Sequence, residues 1–126
     1  MFSRAVTKAV VLAAGAGRRM RRADTTTELS VEQARAADAG HKAMIPIGPG
    51  TPRPFLDYIL STLADAGCGT TCVVIGRDHD EVQRYYEHER PPQRIQLRFA
   101  RQDVPDGTAH ALLAAEAFTG DDPFLT

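Results

Sequence analysis

The stretch KAVVLAAGAGRRM, residues 8–20, decides how the rest of the chain is interpreted. Residues 8–14 form an apolar run that a glycine ends, which is typical of a central strand covered on both faces. Gly15 and Gly17 allow the backbone to approach a ligand closely, and the exposed amides of such a turn can bind an anion. Four arginines follow, at positions 18, 19, 21 and 22. Because guanidinium groups form paired hydrogen bonds to phosphate oxygens, the stretch predicts a strand followed by a phosphate-binding loop.

Two familiar phosphate-binding motifs do not fit this loop. A dinucleotide fingerprint needs a third glycine or alanine where Met20 stands, and no strand ending in an acidic residue follows at the expected distance. A P-loop needs Gly-Lys-Ser or Gly-Lys-Thr after four intervening residues, and the chain lacks it. An NAD-dependent oxidoreductase is therefore disfavoured. On these residues alone, a tight glycine turn with solvated arginines stays the alternative to a phosphate site.

The composition limits the classes of protein to which the chain can belong. Its 126 residues fit one domain, since single domains commonly have roughly 100–200 residues. At a formal net charge of −1, overall positive charge cannot drive binding to nucleic acid. No apolar run approaches the roughly 20 residues of a membrane span, and the start has no signal-peptide pattern, so we expect a cytoplasmic protein that does not enter membranes. Cys68 and Cys72 are interpreted as small buried residues.

Strands and helices alternate along the rest of the chain. Residues 23–40 are rich in Ala, Thr, Asp and Glu, and Ser30 with Gln33 forms a capping box, which predicts a helical insertion. Further helices are predicted from Pro54 to a stop at Gly67, after Asp78 and Glu81 as caps, and over residues 107–118. Strands are predicted over residues 71–75, 95–99 and 123–126. This alternation predicts an α/β fold, a three-layer α/β/α arrangement of a mainly parallel sheet whose ligand site lies at the carboxyl ends of the strands.

Three motifs, in order, resemble those of the sugar-phosphate nucleotidyltransferase family. They are LAAGAGRRM (residues 12–20), Lys42 within HKAMIPI (41–47), and Gln102 followed by GTAHAL (107–112). The resemblance covers nearly the whole chain and implies the Rossmann-like nucleotide-diphospho-sugar transferase fold. Because members of that family are longer, it implies that residues 1–126 are the N-terminal, nucleotide-binding part of one nucleotidyltransferase domain. We expect such an incomplete domain to have little activity by itself.

The resemblance also implies roles for individual residues. Arg19 matches the arginine that binds the triphosphate, and Lys42 matches the lysine of a Pro-Lys pair in which His41 replaces the proline. We expect Arg19 and Lys42 to be the catalytic pair, because charge building on the leaving pyrophosphate needs neutralisation. Gln102 is implied to read the base, and its amide can donate and accept at one pyrimidine edge. The nucleotide-binding residues implied are Leu12, Ala13, Ala14, Gly15, Gly17, Arg18 (where Thr or Ser is usual), Gln102, Gly107 and Thr108.

The family's reaction transfers NMP from an NTP to a sugar 1-phosphate, with Mg²⁺ and with release of pyrophosphate. UTP or dTTP is the favoured donor, because the motif at Gln102 resembles that of pyrimidine-selective members. The family's first metal-binding aspartate would lie beyond Thr126, so no metal ligand is assigned here. Two alternatives stay open: transfer to molybdopterin or a polyol phosphate, and a non-catalytic nucleotide-binding regulatory module. Formation of homo-oligomers is left open.

Two histidines are interpreted as structural rather than catalytic or metal-binding residues. His79 stands among acidic residues, but the start of a capped helix explains those residues better than a metal site does. His110, one turn into a helix, is interpreted as packed or near the nucleotide rather than as catalytic.

Overall fold

A computed structural model of the chain describes residues 5–14, 42–77, 79–104 and 107–126. The predicted insertion over residues 23–40 lies outside these ranges. In chain order the elements are β1 (Lys8–Ala13), a 3-10 helix (Lys42–Met44), β2 (Pro46–Ile47), β3 (Arg53–Pro54), α1 (Phe55–Asp65), β4 (Thr70–Gly76), α2 (Asp80–Arg84) continuing into a π-helix (Tyr85–Glu89), β5 (Gln96–Gln102), α3 (Gly107–Ala114), α4 (Glu116–Thr119) and β6 (Phe124–Leu125). None of the helices in these ranges has the length and apolarity that crossing a bilayer requires.

Four strands form a parallel sheet in the order β5-β4-β1-β6. β4 pairs along its length with β1 and with β5, and the short β6 adds to the outer side of β1. β2 and β3 form a separate antiparallel ribbon. The predicted parallel sheet is therefore confirmed.

The central strand β4 is buried on both faces, since Val73, Val74 and Ile75 have no exposed surface. Side chains alternate across a strand, so β4 contributes to two hydrophobic cores. The first core packs α1 and the α2 region against one face, and its buried members are Leu56, Leu60, Val73, Ile75, Val82, Tyr86 and Ile95. The second packs α3 against the other face, and its buried members are Val10, Ala14, Cys72, Val74, Ala111 and Ala115. The predicted three layers follow from this double burial.

Helix α1 covers the first face with the apolar stripe that the sequence predicts. Leu56 and Leu60, one turn apart, are buried, and Ile59 and Leu63 pack beside them. The helix begins at Phe55 rather than at Pro54, which occupies the N-cap position. Pro54 suits that position because it needs no backbone donor and cannot continue a helix toward its own N-terminus.

The start of α2 differs from the prediction. The N-cap residue is His79, which makes no side-chain capping hydrogen bond, whereas Asp78 lies outside the described residues. The His79 ring is engaged elsewhere, since its Nδ1 accepts a hydrogen bond from the Gly76 amide. Further along, Tyr86 is buried and its hydroxyl donates to the Asp57 carboxylate on α1. Burial, followed by this hydrogen bond, raises the pKa of Tyr86 well above its ordinary range.

The predicted single helix over residues 107–118 is wrong, because it is two helices. Ala115 separates α3 from α4, and its amide bonds to Leu112 in a tightened turn. Ala115 is 1% exposed and packs in the second core, and Phe118 packs against the same core. The demand for burial at both positions overrides the helical propensity of the alanine-rich segment.

Lys8 joins β1 to the last turn before β6. Its Nζ lies 2.8 Å from Asp122 Oδ2, donates to the Phe118 carbonyl at 2.8 Å, and stands 5.1 Å from the centre of the Phe118 ring. Two acceptors and an aromatic face therefore surround one partly buried ammonium group. These contacts hold the corner from which β6 adds to the sheet.

Replacement of Leu56 by alanine tests the first core. Leu56→Ala removes a fully buried side chain between α1 and the sheet, and we expect the free energy of unfolding to fall by about 2–5 kcal/mol. The matched control is Leu113→Ala, since Leu113 is 64% exposed on α3 and its loss is expected to change the value by no more than about 0.5 kcal/mol. Urea denaturation measures both, and equal effects would contradict this assignment of the core.

Candidate functional site

The carboxyl ends of three neighbouring strands bring the predicted nucleotide-binding residues to one edge of the sheet. Ala13 of β1 lies beside Ile75 of β4, and Gly76 at the end of β4 lies beside Gln102 at the end of β5. Ala14 and Gln102 thus stand on either side of Gly76, about 10 Å apart at the spacing of two strand intervals. In an open parallel sheet, this edge is where ligands bind.

Gly76 lies between the end of β1 and the His79 ring. A β-carbon there would lie 3.2 Å from His79 Nδ1, 3.3 Å from His79 Cε1 and 3.4 Å from the Ala14 carbonyl oxygen. The Gly76 amide also donates to His79 Nδ1 at 3.3 Å, and His79 is 8% exposed. The absence of a side chain at Gly76 therefore lets a buried imidazole pack next to the residue from which the predicted phosphate loop departs.

Gln102 is held by the segment that follows it. Its Nε2 donates to the Gly107 carbonyl at 3.1 Å and lies 3.0 Å from His110 Nδ1. Gln102 is buried, whereas His110 belongs to the exposed residues of α3. The side chain that the resemblance assigns to the base is thus fixed by a backbone carbonyl and an imidazole.

The first turn of α3 completes this side of the edge. Gly107 has φ of 86°, in the left-handed region that glycine adopts without strain, and the chain there turns from β5 into the helix. The first amides of a helix have no intrahelical partner, and those of Gly107 and Thr108 belong to this group. Both residues are exposed. The backbone amides of Gly107 and Thr108 therefore lie close to the side-chain amide of Gln102, which bonds to Gly107.

Lys42 opens the 3-10 helix that precedes β2. The next two residues, Ala43 and Met44, pack against the first core, and the Phe55 amide at the start of α1 donates to the Ile45 carbonyl at 2.8 Å. The backbone at Lys42 is therefore anchored to the layer that contains α1. The lysine side chain is not among the described ones, so its catalytic role stays a prediction.

The remaining predicted residues divide into two groups. Leu12 and Ala13 lie on β1, where Leu12 is 36% exposed and Ala13 packs against the first core. Gly15, Gly17, Arg18 and Arg19 lie outside the described residues, as does the glycine turn itself. Of the phosphate side of the predicted site, the structure thus describes β1 and Ala14, from which the loop departs.

A separate cavity lies away from this edge. It has a volume of about 550 Å³ and lies between α1 and the segment that leads into β5, with Arg53, Asp57 and Arg90 among its lining residues. Of the predicted site residues that the structure describes, none lines it. In the described ranges, His, Cys, Asp and Glu side chains form no group of three that could hold a metal ion.

The sequence did not predict two contacts at the edge, one between Gly76 and His79 and one between Gln102 and His110. The spacing of Gly76 and His79, three residues apart directly after a buried strand, is the signal that could have indicated the packing between them. His110 follows Gln102 by eight residues, and the two side chains meet although one lies at the end of β5 and the other on α3. The local sequence around His110 indicates only a helix and does not indicate a contact with Gln102.

Comparison with known proteins gives one family and several relatives. The family model described as "MobA-like NTP transferase domain" matches residues 9–126. The chain is 27% identical to UTP–glucose-1-phosphate uridylyltransferase YngB of Bacillus subtilis (strain 168), over 94% of this chain and 41% of that protein. It is 30% identical to a glucose-1-phosphate thymidylyltransferase of Streptomyces antibioticus, over 94% of this chain and 28% of that protein.

Among solved structures, a UDP-glucose pyrophosphorylase complexed with UDP-glucose superimposes with a TM-score of 0.71 at 22% identity, over 95% of this chain and 44% of that one. This likeness shows that the fold is shared. The chain spans less than half of the length of each of these three relatives.

Substitution of Gly76 tests the packing at the edge of the sheet. Gly76→Ala places a β-carbon against a buried ring and a backbone carbonyl, and we expect it to lower the free energy of unfolding by about 1–3 kcal/mol. Gly69→Ala is the control, since no atom lies within 4 Å of a β-carbon there. Chemical denaturation compares the two, and a Gly76→Ala protein as stable as the Gly69→Ala protein would contradict the described contact with His79.

Proposed function

The chain belongs to the MobA-like NTP transferase domain family, and on that premise we propose that it forms part of an enzyme that transfers NMP from UTP or dTTP to a sugar 1-phosphate. The products are an NDP-sugar and pyrophosphate. Two of the relatives are named as a uridylyltransferase and a thymidylyltransferase acting on glucose 1-phosphate, which supports both the reaction class and the choice of donor.

The observation that carries this proposal is the placement of Gln102 and Ala14 on one edge of the sheet, two strands apart. A nucleotide laid along this edge has its base at Gln102 and the first turn of α3, and its phosphates at the loop that departs from Ala14. Gly76, between them, presents no side chain in the path of the ribose. The carboxyl edge thus offers both ends of one nucleotide site.

The proposed reaction makes modest demands on the side chains. The attacking group is a phosphate oxygen of the acceptor, which is already anionic at neutral pH, so no residue has to remove a proton. The step requires the two phosphate groups to lie in line, and it requires cations near the leaving pyrophosphate. We assign this charge neutralisation to Arg19 and Lys42, whose positively charged groups suit phosphate oxygens.

The proposed reaction includes Mg²⁺. In the described ranges, no group of three or more His, Cys, Asp or Glu side chains could hold this ion. Bound to the triphosphate, Mg²⁺ would neutralise phosphate charge. The roles assigned to the chain's own residues are base recognition by Gln102 and positioning of the triphosphate by the loop after Ala14.

Single-turnover measurements test the proposal, because an excess of protein over labelled UTP makes even a slow transfer visible. With glucose 1-phosphate or another sugar 1-phosphate and Mg²⁺, we expect labelled NDP-sugar and pyrophosphate to form. Arg19→Ala and Lys42→Ala are each expected to lower the rate by about 10²–10³, since each removes one stabilising cation. The control Arg98→Ala replaces an exposed arginine on β5 and is expected to leave the rate unchanged.

The outcomes separate the competing functions. Transfer to molybdopterin or a polyol phosphate, with none to any sugar 1-phosphate, would assign a different acceptor. Binding of UTP without single-turnover transfer to any acceptor would contradict transfer by this chain and support a nucleotide-binding regulatory module.

A further inference from the structure

We infer that His110 sets the base preference of the nucleotide site by occupying a donor hydrogen of Gln102, so that Gln102 presents only its carbonyl oxygen to the base. The inference rests on the proposed nucleotide site at the carboxyl edge. It makes His110 a positioning residue, which acts on the ligand through Gln102.

The orientation of the Gln102 amide follows from its contact with Gly107. The oxygen and nitrogen of a carboxamide are distinguished by their hydrogen-bond partners, and a backbone carbonyl can only accept. The Gln102 atom 3.1 Å from the Gly107 carbonyl oxygen must therefore be the NH₂ group. The reversed orientation would set two oxygens against each other.

His110 takes the second hydrogen of the same amide group. Gln102 Nε2 lies 3.0 Å from His110 Nδ1, and an NH₂ group with one hydrogen on Gly107 has one left to donate. For this contact to be a hydrogen bond, Nδ1 must accept, which places the ring proton on Nε2. Both donor hydrogens of Gln102 are then used within the protein.

The carbonyl oxygen is what remains for a ligand. Across the described ranges, Gln102 Oε1 accepts no hydrogen bond, and the one buried side-chain oxygen or nitrogen without a partner is Thr71 Oγ1. Gln102 is 6% exposed at the carboxyl end of β5, and this oxygen is the polar atom of its side chain that is left to meet a ligand. This end of the site therefore offers a hydrogen-bond acceptor beside the donor amides of the first turn of α3.

This pattern selects among pyrimidines. Uracil and thymine carry an N3–H donor between two carbonyl acceptors, and this donor complements an acceptor at Gln102 with backbone donors beside it. Cytosine carries an unprotonated N3, whose lone pair would face the lone pairs of Gln102 Oε1. A buried polar group left without a partner weakens binding, so the arrangement favours UTP and dTTP over CTP.

Equilibrium binding of UTP and CTP to the full chain tests the inference without requiring turnover. We expect UTP to bind at least tenfold more tightly than CTP. His110→Ala and His110→Phe both remove the acceptor, and the phenylalanine keeps a ring of similar shape. Each leaves the Gln102 amide held by the Gly107 carbonyl alone, so that the side chain can rotate and turn a hydrogen toward cytosine N3. Each is therefore expected to reduce the UTP-to-CTP ratio by about tenfold, the value of one modest hydrogen bond.

Two further variants separate positioning from general structure. His110→Asn restores an acceptor near the position of Nδ1 and is expected to keep the UTP-to-CTP ratio. Leu113→Ala changes an exposed residue of the same helix and is also expected to keep it. A folded His110→Ala or His110→Phe protein with an unchanged ratio would overturn the inference, as would a chain without preference for UTP.

The results also distinguish this inference from the proposed function. If the ratio responds as expected but no acceptor receives the nucleotide, the proposed transfer fails and the role of His110 stands. If transfer to a sugar 1-phosphate occurs and the UTP-to-CTP ratio does not change on replacement of His110, the proposed transfer stands and the role of His110 fails.

Discussion

Burial of β4 on both of its faces is the constraint on which the rest of the structure depends. Its apolar residues alternate between two cores, so a single layer of helices cannot cover them. Helices pack on each face, and the crossover connections that contain them join strands that are parallel. Parallel strands end at one edge, and that edge collects Ala14, Gly76 and Gln102. The position of the candidate site is thus a consequence of how the strand is buried.

Much of this architecture could be predicted because it is written in local patterns. The apolar run over residues 8–14 and the helical stripe of α1 match the structure within one or two residues, whereas β5, predicted over residues 95–99, continues to Gln102. The family resemblance, which rests on three short motifs, is confirmed by the match over residues 9–126. The errors lie where tertiary contacts prevail over local preference. Ala115 ends a helix because it packs against the sheet, and His79 occupies an N-cap position because its ring bonds to Gly76.

In the candidate site, too, the residue types could be predicted from local sequence, but their contacts could not. Gln102 could be singled out from its motif, but the direction of its amide depends on a carbonyl five residues later and an imidazole eight residues later. Those partners lie at the start of α3, where Gly107 adopts a positive φ. The motif identifies Gln102 as a candidate site residue. The partners of its two amide hydrogens, in contrast, depend on the positions of Gly107 and His110 in the folded chain. Our inference accordingly assigns Gln102 the role of an acceptor at the base, in place of the combined donor and acceptor role that its amide allows.

The central claim is that one nucleotide lies along the carboxyl edge of β1, β4 and β5. Backbone amide chemical shifts recorded by NMR during titration with UTP test it most directly. The account predicts that the largest changes occur at Ala14, Gly76, Gln102 and Thr108, together and with one affinity. Changes confined to the residues that line the cavity between α1 and β5, with the amides of the carboxyl edge unmoved, would contradict it.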